Sequence, residues 1–247
     1  MGAFKNDSRC DKFQCQYNFL WHVKMTTQQE DVYYFSFGAN MSPDAFGPKA
    51  KGRYNQRNCF PKEAFPAKLS GWKLVFNLRG VPGVEPGFGN IVPDKDSCVH
   101  GVCYLLKQED FLRLRQSEFT YDVKLLEVEE YNQRKVTANV FIVTDKKHLE
   151  PCPKCAIPSK RYRDLLVSGA KHWNLDRRYI EFLESVPYPK PSIFSKALSL
   201  FLFWFLFYFL SFVGIPLKVR GRLFRSFATW LWKVVDWKRS WFHPHSY

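Results

Sequence analysis

YFSFGANM, residues 34–41, is an apolar strand that runs straight into a Gly-Ala-Asn turn, and the reading of that junction decides the fold. Gly38 has no Cβ and is free to take a positive φ, Ala39 is too small to block approach, and Asn40 tolerates left-handed geometry. Successive backbone N–H groups can then converge on one concavity suited to an oxyanion or a carboxylate. An ordinary strand-to-loop corner fits the same residues. The wider pattern must separate the two.

Around this stretch the chain reads as α+β. A polar, Pro-punctuated loop from about residue 42 to 66 follows the first strand, Val32 to Phe37. Apolar or alternating runs at strand length then recur at Ala67 to Leu78, Asn90 to Val92, Val99 to Leu106, Lys124 to Glu130 and Val136 to Thr144. Lys107 to Ser117 fits a short amphipathic helix with Phe111, Leu112 and Leu114. A second helix starts after Ser159 as cap, with Tyr162, Leu165, Leu166, Gly169 and Ala170 on one face, and a third starts near Asp176 and stops before Pro187. Glu85 sits in a Gly-Val-Glu-Pro-Gly turn, either solvated or a second carboxylate beside a pocket.

Three further blocks follow the opening stretch in order: GFGNIVP at residues 87–93 with HGVCYLL at 100–106, then LRQSEFTY at 114–121, then IPSKRYRDLLVSGAKHWNLDRRYIEFL at 157–183. Together with residues 34–41 they resemble the γ-glutamylcyclotransferases, whose signature YFAYGSNL is similar to YFSFGANM. The resemblance implies a small closed or nearly closed mixed β-barrel with flanking helices. It also implies an intramolecular reaction, in which the α-amine of a γ-glutamyl group attacks its own γ-carbonyl and releases 5-oxoproline from an amine or peptide, with no cofactor or metal. By the same carry-over Glu118 is the catalytic general acid–base, and Phe37, Gly38, Ala39, Asn40, Met41 and Tyr162 bind substrate, while Tyr34 only packs. The chain departs from the pattern at Phe37 and Ala39, which lack the family's hydroxyls, and at Phe119. The altered hydroxyls keep a second reading open, a catalytically inactive, membrane-tethered binding module of the same fold.

Composition divides the chain. Hydrophobic content is 46%, yet the 24 Phe and 8 Trp crowd toward the C-terminal end. The formal charge is +14, of which +8 falls from Lys190 onward, where nine Lys or Arg face the single acid Asp236. Ala197 to Leu217 holds 21 residues without a charge, about 30 Å as a helix and long enough to cross hydrocarbon. After it, Leu223, Phe227, Trp230, Leu231, Val234, Trp237 and Trp241 recur at helical spacing among basic residues, the pattern of a helix lying in a lipid interface. Membrane lipid is thus the expected partner of both segments, and nucleic acid ranks last. The expected divisions are a polar arm over 1–30, the enzyme-like domain over 31–187, a linker over 188–196, a membrane-embedded helix over 197–217 and a basic aromatic tail over 218–247. The first 30 residues show no signal-peptide core, so the catalytic domain is expected in the cytosol, anchored to a membrane. The basic flank after the apolar run also favours a cytosolic tail. Either the segment enters and returns, or the folded domain overrules the charge bias.

Seven cysteines, an odd count in a chain of this kind, read as free thiols. Cys152 and Cys155 form one C-x-x-C, which would need two more ligands to hold zinc. His148 or the pair Cys10 and Cys15 could supply them, though nothing in the spacing fixes that geometry.

Overall fold

The computed structural model describes residues 30–47, 59–81, 84–118, 120–151 and 157–190, together with Phe205 and Tyr208. Five strands, β1 (Val32–Ser36), β2 (Glu63–Val81), β3 (Glu85–Leu106), β4 (Asp122–Glu130) and β5 (Lys135–Ile142), close into a barrel in the order β1-β3-β2-β4-β5. Every neighbouring pair is antiparallel except β1 and β5, where Tyr34 and Phe35 stand beside Asn139 and Val140 in parallel. Closure removes the exposed sheet edges that a small open sheet would leave.

The long β2–β3 hairpin is the barrel's main wall. Asn90 to Val92 and Val99 to Leu106, separate runs in the sequence, belong to one strand, because Pro93 pairs with Trp72 beside a register shift between Ser70 and Trp72. A bulge is where a sheet tolerates a residue that cannot donate a ladder hydrogen bond. The interior is filled by alternating side chains such as Phe35, Leu69, Val99, Val128 and Val140, all buried. Gly101 is obligatory, since a Cβ there would lie 2.2 Å from the Ser36 carbonyl oxygen and 2.8 Å from the Phe35 ring.

Among the described residues three helices flank the barrel: α1 (Gln108–Ser117), α2 (Lys160–His172) and α3 (Arg177–Ser185). The side chains of Ser159 and Asp176 cap α2 and α3, each accepting from a main-chain N–H three residues on, Tyr162 at 3.1 Å and Tyr179 at 3.1 Å. α1 turns Phe111 and Leu114 inward and ends at Glu118. Glu85, read from sequence as a turn residue, instead opens β3 and is buried. Among the described residues no helix is long and apolar enough to cross a membrane. The expected apolar segment at 197–217 lies outside the described residues apart from Phe205 and Tyr208, both helical and exposed, and the N-terminal arm and basic tail lie outside them too.

Candidate functional site

Where β1 leaves the barrel, a cavity of about 140 Å³ opens between the end of that strand, β3, the end of α1 and the start of α2. The chain crosses its wall as Ser36, Phe37 and Gly38, then coils into a single 3₁₀ turn, Ala39–Met41. The turn is closed by its own hydrogen bonds, the Met41 N–H to the Gly38 carbonyl at 3.0 Å and the Ser42 N–H to that of Ala39 at 3.0 Å. Those bonds use the carbonyls of Gly38 and Ala39 and leave the amides of the same two residues outside the turn's internal pairing.

Gly38 does not adopt the positive φ that the sequence suggests; its angles are φ −115° and ψ −148°. The restriction there is one of space and not of conformation. A Cβ on Gly38 would come within 3.1 Å of the Tyr162 hydroxyl, and so would one on Gly89 across the cavity. Tyr162 is wedged between two glycines, accepting from the Gly89 N–H at 3.1 Å. The opposite face of the same residue is held by Tyr121, whose hydroxyl donates to the Gly89 carbonyl at 3.0 Å. Burial, foremost, pushes both phenols above their ordinary value, with Glu118 adding in the same direction. Both therefore stay protonated at neutral pH and keep an O–H to donate.

Glu118 caps the C-terminal end of α1. Its N–H donates to the Leu114 and Arg115 carbonyls, and its own carbonyl accepts from the Tyr121 N–H at 3.0 Å, so a fixed turn presents the side chains of Glu118 and Tyr121 to one cavity. Glu118 is half-buried there. Asn40 is locked in place, its side-chain amide donating to the Tyr34 hydroxyl at 3.0 Å and its carbonyl accepting from Tyr104 at 2.9 Å. Ser36 is 2% exposed, and its hydroxyl has no hydrogen-bond partner among the described residues, although the residue lines the cavity. A buried hydroxyl in that state costs about 1–3 kcal/mol unless something in the cavity satisfies it.

Of the residues singled out from sequence, Glu118, Phe37, Gly38, Ala39, Asn40 and Tyr162 line this one cavity. Met41 does not. It is 0% exposed, its backbone packs where a Cβ on Gly169 would sit, and its carbonyl accepts from the Trp173 indole at 2.9 Å, so it anchors the turn to α2 and the loop beyond. Tyr34, expected only to pack, both lines the cavity and orients Asn40. Sequence reasoning missed Ser36, Gly89, Tyr121 and Arg161. All four stood inside the quoted blocks, but alternation of β1 and the Tyr–Gly–Tyr clamp become visible only once the strands are paired. Among the described residues no group of three His, Cys, Asp or Glu side chains forms a metal site, and Cys152 and Cys155 lie outside them. Cys59, Cys98 and Cys103 are free thiols, and burial pushes that of Cys103 up to about 12.

Residues 98–183 match the model of the AIG2-like family. The chain is 32% identical over 162 residues to a Claviceps purpurea protein named γ-glutamyl cyclotransferase gliK, covering 60% of this chain and 71% of the relative. It is 26% identical over 168 residues to an Aspergillus oryzae protein named γ-glutamyl cyclotransferase aclK, covering 60% and 59%. Two solved structures share the fold, an uncharacterised human protein at TM-score 0.52 and 22% identity and a γ-glutamyl cyclotransferase at TM-score 0.52 and 20% identity, each covering 69% of this chain and 98% of the other.

Proposed function

The chain belongs to the γ-glutamyl cyclotransferase family and is a cyclotransferase enzyme, and from that premise we propose that it converts a γ-glutamyl amine or peptide into 5-oxoproline and the free amine. The α-nitrogen of the glutamyl group attacks its own γ-carbonyl, a new C–N bond closes the ring, and the original amide C–N bond breaks. Attack requires a neutral amine, so Glu118 takes the proton from that nitrogen and later delivers one to the departing nitrogen. The carbonyl oxygen, charged in between, is met by donors fixed before the substrate arrives: amides of the Gly38–Ala39 segment and the Ser36 hydroxyl. Because both reacting atoms belong to one molecule, confinement in a small cavity supplies much of the rate.

The observation that supports this reading is the common cavity of Glu118, the Gly38–Asn40 turn and a buried hydroxyl without a partner. The hydroxyls lost at Phe37 and Ala39 are offset by Ser36 and by backbone amides, which no side-chain substitution removes. The test is to give the 247-residue chain a panel of γ-glutamyl dipeptides and glutathione and to resolve the products. The reading expects 5-oxoproline and amine in equal amounts. Free glutamate, or no product from any of them, would overturn it.

Membrane attachment through residues 197–217 and the basic tail, with the enzyme domain facing the cytosol, is proposed from sequence alone. Fractionation checks it: the chain should sediment with membranes, resist alkaline carbonate and be released by detergent, and a chain recovered wholly in the supernatant would remove the proposal.

A further inference from the structure

A second cavity, of about 380 Å³, opens between the β2–β3 hairpin and the start of α3, and it shares no lining residue with the first. Its volume falls in the range of about 300–1,000 Å³ typical of small-molecule sites. The cyclotransferase reaction makes no use of it.

One side of this cavity is apolar. Leu74 of β2 is buried there, and beside it runs a row of rings: His100 of β3 lies 4.8 Å between centroids from Tyr179, and Tyr179 lies 5.8 Å from Phe182, three residues on along α3. Phe182 is 41% exposed, so the row ends in an aromatic face open to solvent. The junction itself is fixed. The Tyr131 hydroxyl accepts from the Asp176 N–H at 2.8 Å and lies 2.6 Å from His100 Nδ1, tying the start of α3 to β3.

The other side carries charge. Lys73 and Arg178 both line the cavity and both are exposed. Lys73 is shared with Asp94, 3.9 Å away, whereas the Arg178 side chain has no ion pair or hydrogen bond among the described residues. Against them stands Asp176, and burial, foremost, lowers the pKa of His100, which leaves that ring neutral at neutral pH. Two positive charges and one negative leave a single unit for a ligand to neutralise. The cap of α3 then decides which anion fits. A phosphate is ordinarily held by free main-chain N–H groups at a helix start. Here the Asp176 carboxylate occupies that place, accepting from the Tyr179 N–H at 3.1 Å, and it would repel a dianion.

We propose that this second cavity binds a small organic monocarboxylate with an aromatic body, its ring against Tyr179 and Phe182 and its carboxylate on the Arg178 guanidinium. A planar fork of N–H donors matches the two oxygens of such a group, and Lys73 adds charge at longer range. The site is separate from the Glu118 cavity and does not rest on the cyclotransferase reading.

The experiment is calorimetric titration of the 247-residue chain with 3-phenylpropionate, with 3-phenylpropionamide, which has the same shape without the charge, and with phenyl phosphate. The acid should bind about tenfold tighter than the amide, with phenyl phosphate no tighter than the acid. Arg178→Gln should remove that margin and leave the amide unchanged, and because residue 178 is exposed the unfolding midpoint should hold. Lys73→Gln should cost the acid less, about threefold, since Asp94 already shares that cation. Phe182→Ala should weaken acid and amide alike. Cys98 lines the same cavity, so bound acid should slow its alkylation by N-ethylmaleimide, read by peptide mass spectrometry, and should fail to do so in Arg178→Gln. Acid binding that is unchanged in Arg178→Gln, or binding of neither acid nor amide, would overturn the inference. So would a preference for phenyl phosphate, which would point to a phosphate ligand. None of these readouts requires turnover, so loss of the second site and loss of the cyclotransferase reading are told apart.

Discussion

Glu118 at the end of α1 and Glu85 at the start of β3 are carboxylates served by neighbouring walls of one site, and they are built in opposite ways. Both oxygens of Glu85 are engaged by fixed donors of α2, the Ser159 N–H and Arg161, and the residue is buried. At Glu118 the main chain is what is fixed, through α1 and the turn to Tyr121, while the half-buried side chain lines the cavity. A carboxylate saturated by protein donors is a post. One that a rigid backbone aims at a small cavity can exchange a proton with whatever enters. Burial alone would have picked the wrong residue.

That contrast is sharpened first by removing each charge in turn. Glu118→Gln should lower kcat about 10²- to 10⁴-fold, roughly 3–5 kcal/mol in barrier, in a 5-oxoproline assay, with the unfolding midpoint unchanged. Glu85→Gln should leave kcat within about twofold and instead lower the unfolding midpoint, because it weakens the buried anion that holds Arg161 and the cap of α2 and does not touch the reacting atoms. Equal losses of kcat in the two variants would erase the distinction.

A smaller effect is expected at the residue between them. Tyr162→Phe strands the Gly89 N–H that Tyr162 accepts, a loss of about 1–3 kcal/mol by urea unfolding, with turnover falling less than in Glu118→Gln. Ser36→Ala should go the other way in stability. Removing a buried hydroxyl without a partner should leave the protein as stable or up to about 1 kcal/mol more so, while KM for the γ-glutamyl substrate rises. A Ser36→Ala protein that is destabilised, with KM unmoved, would show that the hydroxyl serves the fold.

The weakest expected effect, absent at neutral pH, lies with the buried phenols. Burial raises the folded-state values of Tyr104, Tyr121, Tyr162 and Tyr179 above the ordinary value of 10.0, so ionisation favours the unfolded chain. Stability from these groups is complete below about pH 10 and is lost as pH rises beyond it. Tyrosinate absorbance of these four should therefore appear together with loss of circular dichroism, and appearance well before unfolding would contradict their burial.

Much of this was legible in the sequence, and the gaps have physical causes. The blocks at residues 34–41, 114–121 and 157–183 carry the cavity because each pairs a regular element with its cap, and caps are local chemistry: Ser159, Asp176 and the end of α1 read directly. The sequence suggests two strands across β3 because a proline normally ends a ladder, and the register shift that accommodates Pro93 depends on the partner strand. Glu85 looked like a turn residue because its neighbours are Gly, Val, Pro and Gly, while its burial comes from α2, some seventy residues later. At Gly38 the sequence suggests a positive φ, whereas the tight feature in the structure is the Tyr162 hydroxyl, 3.1 Å from where a Cβ would sit. Met41 is adjacent to Asn40 in the motif, yet a 3₁₀ turn rotates each residue by about 120° from the one before, which takes Met41 out of the cavity that Ala39 and Asn40 line.

Whether the substrate's own nitrogen is the nucleophile can be asked most directly by running the reaction in water enriched with heavy oxygen and weighing the products. The account predicts 5-oxoproline that carries no solvent oxygen, released together with free amine. Heavy oxygen in a released glutamyl carboxylate would mean that water attacked the γ-carbonyl, and the cyclisation account would be wrong.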